Sequence, residues 1–310
     1  MQSKTTQKAI LVIKHGALGD LIQGLDAYAS VRAGFPDAHI ALLTTPAFAS
    51  LAGKMPWFDE IIVDQRASFL NIAATFNIAS QLRRKWHAII DMQCSKRTAN
   101  YHRLFATSST SWYGTASGCS HPMPDFTGVN NQQRMLTAAR MAAGIVVDAD
   151  MAWLDTDISQ FELPDRFAVL IAGCSPAKPS KRWPSEHFAD LANILIAQGL
   201  AVVLAGTNAD RDAVDAVRDN APGTIDLAGK TDIPMLAALS NQSKLVVGND
   251  TGPVFLAART GTPTVMVIGG DTDPDMSAPV GVNCSWIQRL PISDISPEMV
   301  IERLTSMKAL

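Results

Sequence analysis

The chain has 310 residues, 47% of them apolar and 18% charged, the make-up of a globular protein with length enough for two domains. No run approaches the ~18 uninterrupted apolar residues of a membrane-spanning helix, and the apolar run before Lys14 is too short for the core of a secretory signal. The net charge of −3 argues against a general nucleic-acid binder, and it conceals an imbalance: residues 1–155 carry 14 Lys and Arg against 11 Asp and Glu, residues 156–310 carry 12 against 18.

Apolar runs of strand length alternate with longer segments of helical period, the pattern of parallel βαβ units whose strands are buried on both faces. The first strand is expected at Ala9 to Ile13. Behind it stands Lys14-His15-Gly16-Ala17-Leu18-Gly19-Asp20. Its two glycines permit a tight turn and close backbone approach to a ligand, and the helix start that follows favours negative charge. The G-x-G-x-x-G spacing of dinucleotide folds is missing. Asp20 has two readings, a carboxylate complementing the helix N-terminus or a general base at the carboxyl end of the strand. His15 is given at most a supporting role.

Leu18, Leu21, Ile22, Leu25, Tyr28 and Ala29 recur at three-and-four spacing and predict one helix that stops at Gly34. Strands are expected next at His39 to Leu43, Glu60 to Val63 and Ala88 to Asp91. Arg83, Arg84 and Lys85 read as a solvated helix face. Lys96 and Arg97 follow a strand and should look into a site, with an acidic or phosphorylated acceptor, or an anionic membrane surface, as their partner. Trp86 and Trp112 read as core. An alanine-rich helix is expected near Asn130 to Ala143, ending at Gly144. A turn-rich acidic passage from Val147 to Asp165 marks the domain boundary, giving domains 1–158 and 159–310.

The rhythm then restarts, with strands expected at Phe167 to Ala172, Ala201 to Ala205, Lys244 to Val247 and Thr264 to Ile268. The loop from Cys174 to Pro184 gathers Lys178, Lys181 and Arg182 in the otherwise acidic half, and cations there suit a phosphate whose charge grows as it leaves. Trp183-Pro184 suggests that this loop is pinned. Ser185 to Ala197 reads as a helix with Ser185 as its N-cap. Asn249-Asp250-Thr251-Gly252-Pro253 sits between an apolar strand and a short helix bounded by Gly261 and Pro263. Asp250 or Thr251 would cap that helix, and a nucleotide diphosphate placed at its head would meet free amides and the Thr251 hydroxyl. Ser296-Pro297-Glu298 opens a final helix over 296–310. Cys94, Cys119, Cys174 and Cys284 form no C-x-x-C pair, so neither a zinc cage nor a disulfide framework is indicated and a reducing cytoplasm fits best. Two successive doubly wound α/β domains are implied. Facing one another, they would leave a ligand cleft beyond the carboxyl ends of their strands.

Taken together, these segments resemble glycosyltransferase family 9, the ADP-heptose:lipopolysaccharide heptosyltransferases. The strongest match is Gly248-Asn249-Asp250-Thr251-Gly252-Pro253 with Leu256-Ala257-Ala258, then Gly261-Thr262-Pro263-Thr264 and Thr272-Asp273-Pro274. Further matches are Ile13-Lys14 with Gly16-x-x-Gly19-Asp20, Asp91-Met92-Gln93 with Lys96, and Lys181-Arg182-Trp183-Pro184. The resemblance implies the GT-B fold, with two Rossmann-like doubly wound domains facing across a cleft. The final helix 296–310 would then be free to pack back on the N-terminal domain. It implies an inverting, metal-independent glycosyltransferase in which Asp20 is the catalytic base. Ser175, Lys181, Asn249, Asp250, Thr251, Gly252 and Pro253 would bind the nucleotide-sugar donor, ADP-heptose or similar, with no cofactor. Gly16, Gly19, Gln93, Lys96 and Arg97 would face a glycan or lipid-linked acceptor, with at most peripheral contact with the inner membrane. Two departures stand out: Phe255 occupies a position where the family commonly has histidine near the nucleotide, and Ser175-Pro176-Ala177 replaces paired threonines or serines. They leave open a different nucleotide-sugar donor or a non-catalytic relative. An oxidoreductase or epimerase would need an acidic ribose partner after strand two, which His39 to Thr45 does not supply.

Overall fold

The computed structural model describes residues 7–175 and 178–310. They form two compact units, dividing after Trp153. That point lies within the expected boundary passage but ahead of residue 158, because Trp153 packs edge-on against Trp57 at 5.9 Å.

The first unit is built on strands β1 (Ala9–Ile13), β2 (His39–Thr44), β3 (Glu60–Val63), β4 (Ala88–Asp91), β5 (Ser111–Gly114) and β6 (His121–Pro122). All pair in parallel, in the order β3-β2-β1-β4-β5-β6. The helices between them are α1 (Leu18–Gln23), α2 (Leu25–Gly34), α3 (Pro46–Ala52), α4 (Ile72–Leu82), α5 (Lys96–Phe105) and α6 (Asn131–Ala143). β1 is central and its apolar run is buried on both faces, with Leu11 and Ile13 in one core beside Ala41, Leu43 and Ile89. Trp86 and Trp112 lie in that core.

The single helix expected from Leu18 to Gly34 is in fact two, because the chain breaks at Gly24. A methyl group there would run into the hydroxyl of the fully buried Tyr28, so the close approach admits only glycine.

The second unit repeats this plan. Strands β7 (Phe167–Ile171), β8 (Ala201–Leu204), β9 (Ile225–Asp226), β10 (Leu245–Asn249), β11 (Thr264–Ile268) and β12 (Cys284–Gln288) run parallel in the order β12-β11-β10-β7-β8-β9. Helices α7 (Ser185–Ala197), α8 (Arg211–Asn220), α9 (Ile233–Gln242), α10 (Gly252–Arg259), α11 (Pro274–Ser277) and α12 (Pro297–Ser306) complete it. Pro184, not Ser185, occupies the N-cap of α7, and no side chain caps that helix. Ser296 does cap α12 by accepting from the Met299 amide. The final helix buries Val300 and Leu304 in the second unit's core with Val265, Val267 and Leu191, so its apolar stripe is satisfied there. Among the described residues no helix is long and apolar enough to cross a membrane.

Both sheets follow one topology, and each reverses direction at one point: between β1 and β4 in the first unit, between β7 and β10 in the second. Ligands of doubly wound folds bind beyond the strand ends at that reversal. The four loops that follow these strands are Lys14–Ala17, Met92–Ser95, Ala172–Pro184 and Asp250–Thr251. They are the segments that the sequence marks.

Candidate active site

In the first unit, Gly16 turns the chain out of β1 at φ +71°, a conformation that favours glycine. Gln93, from the loop after β4, accepts hydrogen bonds at Oε1 from the His15 and Gly16 amides, at 3.0 and 3.2 Å. Gln93 therefore clamps the two loops together, and its carbonyl oxygen is not turned to an acceptor. The turn delivers Asp20 to the third position of α1. It does not cap the helix, since the N-cap is Ala17. Its Oδ1 instead accepts from Asn131 Nδ2 at 2.8 Å, and Arg134 in turn donates to Asn131 Oδ1 at 2.5 Å. The carboxylate is part-exposed and is oriented through α6. Gly19 is buried beneath it. Close by, Lys14 is almost wholly buried. Burial pulls its ammonium below the usual lysine range, and Asp20 opposes that pull.

The two cations expected to face an acceptor separate. Lys96 is exposed at the head of α5, and a cation at a helix start is unfavourable unless an anion meets it there. Arg97 belongs to an internal network instead. Its Nε donates to the Tyr101 hydroxyl at 2.5 Å and its Nη2 to the Ala67 carbonyl at 2.9 Å, and it lies 3.5 Å from Asp64. The Tyr101 hydroxyl donates to Asp64, and His15 Nε2 is 2.9 Å from the same carboxylate. Burial alone would raise the Asp64 carboxyl, but His15 and Tyr101 hold it well below its ordinary value. Arg97 is thus spent on structure, because the buried Asp64 needs a cation more than the surface does.

In the second unit, β10 ends at Asn249 and α10 begins at Gly252, with Thr251 at its N-cap and Pro253 in its first turn. The first amides of any helix lack intrahelical acceptors and carry the positive end of its dipole. The Thr251 hydroxyl bonds back to the Asn249 carbonyl at 3.3 Å and does not cap. Asp250 is drawn the other way. Its Oδ2 accepts from Lys181 Nζ at 2.5 Å and from the Thr272 hydroxyl at 2.5 Å. Lys181 is held beside the α10 head by that pair, with both side chains largely buried.

Asn249 is fully buried and both ends of its amide are used, Oδ1 accepting from the Trp183 amide at 2.8 Å and Nδ2 donating to the Ala172 carbonyl at 2.7 Å. It is a bracket between β10 and the lysine loop, not a donor contact. Trp183 completes the pin by donating its indole N–H to the Ile295 carbonyl at 2.8 Å. Ser175 and Lys178 stand exposed on the same loop, and Arg182 donates to the Cys174 carbonyl at 2.8 Å. Pro176 and Ala177, part of the departure noted above, lie outside the described residues. Phe255 is buried in the body of α10.

Sequence reasoning missed Asn131, Thr272 and Asp64. Asn131 lies 111 residues from Asp20 and carries no local signal, whereas Thr272 stood in a quoted motif without a role.

The sequence profile of glycosyltransferase family 9 (heptosyltransferase) matches residues 76–302. The lipooligosaccharide heptosyltransferase 2 of Haemophilus ducreyi is 24% identical over 97% of this chain and 99% of its own. Lipopolysaccharide heptosyltransferase 2 of Escherichia coli K12 is 24% identical over 96% of this chain and 98% of its own. The crystal structure of a family 9 glycosyltransferase from Veillonella parvula superposes with a TM-score of 0.80 at 21% identity, covering 97% of both chains. That of E. coli ADP-heptose lipopolysaccharide heptosyltransferase II superposes with a TM-score of 0.74 at 23% identity, covering 96% of this chain and 98% of that one. The two doubly wound parallel sheets are those of the GT-B fold. This chain is a glycosyltransferase and belongs to glycosyltransferase family 9, the heptosyltransferases.

Proposed function

We propose that the protein moves a heptose, or a closely similar sugar, from an ADP-activated donor to a lipopolysaccharide core or related glycan acceptor, with inversion and without a metal ion. The observation that carries this reading is the pair of loops at each sheet reversal. One holds a carboxylate oriented by Asn131, and the other holds a lysine at a helix head. The first is what deprotonating an acceptor hydroxyl requires, the second what a departing diphosphate requires. An E. coli heptosyltransferase crystallised with ADP, and also with ADP-2-deoxy-2-fluoro heptose, shares the fold at TM-scores of 0.77 and 0.74, which supports ADP as the nucleotide here.

In the proposed step Asp20 takes the proton of the acceptor hydroxyl. The oxygen attacks the anomeric carbon as the bond to the diphosphate breaks on the opposite face. Lys181 and the α10 amides neutralise the charge that leaves, the part a divalent cation plays elsewhere. Thr251, Gly252, Pro253 and Ser175 line the approach of the donor. Gly16, Gly19 and Lys96 line that of the acceptor, with contact between protein and membrane confined to the cytoplasmic surface. Phe255 favours a second reading with another nucleotide, since it offers no hydrogen bond where the family commonly has histidine.

The test is ADP release from ADP-heptose, with deacylated lipopolysaccharide core as acceptor and EDTA present. Acceptor-dependent release, with the opposite anomeric configuration in the product, is expected. Release that needs added magnesium, or retains configuration, would contradict the mechanism.

A further inference from the structure

Helix α4 spends its apolar residues unusually. Of its eleven residues only Ile78 and Leu82 are buried. Ile72 and Phe76, one turn apart on the opposite side, are 83% and 75% exposed, and Leu70 just before the helix is 90% exposed. Single exposed apolar residues need no explanation, but three large ones on one short stretch mark a surface that is covered in use.

What surrounds the patch identifies the cover. From Arg66 to Thr110 the chain holds seven cations and one carboxylate, the buried Asp91. Arg84 is paired with Glu60 and Arg97 with Asp64. Arg66, Arg83, Lys85, Lys96 and Arg103 have no acidic partner among the described residues, and all five are exposed. Arg83 falls seven residues after Phe76 and so continues the same stripe of α4. It also lies over Phe105 of α5, at 5.8 Å from the ring. Beside that contact, the outer face of α5 presents Arg103 and the 46% exposed Leu104. An apolar stripe bordered by unpaired cations is the design of a helix that lies in the headgroup region of an anionic bilayer. A protein partner of matching charge would have to supply both an acidic rim and an apolar centre.

The position fits as well. Leu70 and Ile72 follow the carboxyl end of β3, and all strands of this sheet are parallel. The patch therefore begins at the same sheet edge as Asp20 and Lys96.

We propose that the α4–α5 face is a membrane-docking surface, with Leu70, Ile72 and Phe76 inserted among anionic lipid headgroups and Arg66, Arg83, Lys85 and Arg103 held at the phosphates. This deepens the reading of a lipid-linked acceptor and rests on it for its purpose, though not for its test.

The test is co-sedimentation of the whole protein, without donor or acceptor, with vesicles of mixed phosphatidylethanolamine and phosphatidylglycerol, and with vesicles of phosphatidylcholine alone. The wild type should bind the anionic vesicles, weaken at high salt, and bind phosphatidylcholine far less. The triple variant Leu70→Ser, Ile72→Ser, Phe76→Ser should lose about tenfold or more of that binding while melting at the same temperature. Phe76→Glu alone, at a side chain already in water, should weaken binding in the same direction, and it guards against misfolding of the triple variant. Equal sedimentation of variant and wild type would overturn the proposal, as would equal binding to neutral vesicles. So would an absence of vesicle binding together with a dimer that the triple variant breaks, which would assign the face to a second copy of the chain. A protein that binds vesicles but transfers no sugar keeps this surface and loses the proposed function, so the two failures are distinguishable.

Discussion

At the scale of residues, the proposed function gives Asp20 and Lys181 separable tasks. Asp20 accepts a hydrogen bond from Asn131, and Asp20→Asn would remove the proposed base without opening a cavity. Turnover should fall by about 10² to 10⁴ while donor binding stays within twofold or so, as steady-state rates and donor titration would show. Retained turnover would remove Asp20 from the chemistry. Lys181→Ala should act on binding, weakening ADP by about tenfold to a hundredfold, since a charge-assisted contact is worth about 1.5–3 kcal/mol. Both residues were singled out in the sequence because their types and their places after strands suit the proposed chemistry. Arg97, Asn249 and Gln93 show the limit of that reasoning. Each follows or ends a strand at the active edge, yet the fold spends each on internal bonds, and no local pattern distinguishes a ligand from a bracket.

The Asp64 network gives this scale its pH dependence. The folded carboxyl is held below its ordinary value, and the unfolded one titrates near ~3.9. Its contribution is therefore present above about pH 4 and is lost as pH falls through that value toward the depressed one. Asp64→Asn should cost about 3 kcal/mol at neutral pH, the scale for breaking a buried pair. It should also flatten the acid limb of a stability profile measured by urea unfolding. An unchanged acid limb would mean that other carboxylates govern it.

At the scale of elements, the apolar strands were readable, the edge strand β3 among them, and the short or mixed strands β5, β6, β9 and β12 were not. β1, β4, β7, β10 and β11 are apolar on both faces and announce themselves. By contrast β6 and β9 have two residues each, and β12 mixes polar and apolar residues at the sheet's edge, with only Ile287 buried. Such strands exist because a neighbour supplies hydrogen bonds, which a sequence does not display. The break at Gly24 is of the same kind: the apolar period runs straight through it, and only the buried Tyr28 forbids a side chain there. Gly24→Ala would relieve backbone entropy in an isolated helix, yet it should destabilise this protein by about 1–3 kcal/mol, as overpacking does. Stabilisation in a thermal melt would show that Tyr28 can move aside.

At the scale of the whole molecule, one topology occurs twice and carries two kinds of charge. The first unit, net positive in its sequence, presents Lys96 and Arg103 on α5 and Arg83 and Lys85 just beyond α4. The second is net negative, yet gathers Lys178, Lys181 and Arg182 where β7 meets β10. This repetition was visible in the sequence as a restarted rhythm, and the reversal points fell where the motifs stood. The family resemblance identified glycosyltransferase family 9. Of its two departures, Phe255 is buried within α10.

The central claim, that the second unit binds an ADP-activated sugar through Lys181 and the head of α10, is tested most directly by calorimetric titration. The purified protein would be titrated with ADP, UDP, GDP and NAD in metal-free buffer, and the series repeated on Lys181→Ala. Binding selective for ADP and weakened by the substitution is the predicted result. Preference for UDP or GDP, tight binding of NAD, or ADP binding indifferent to Lys181 would contradict it.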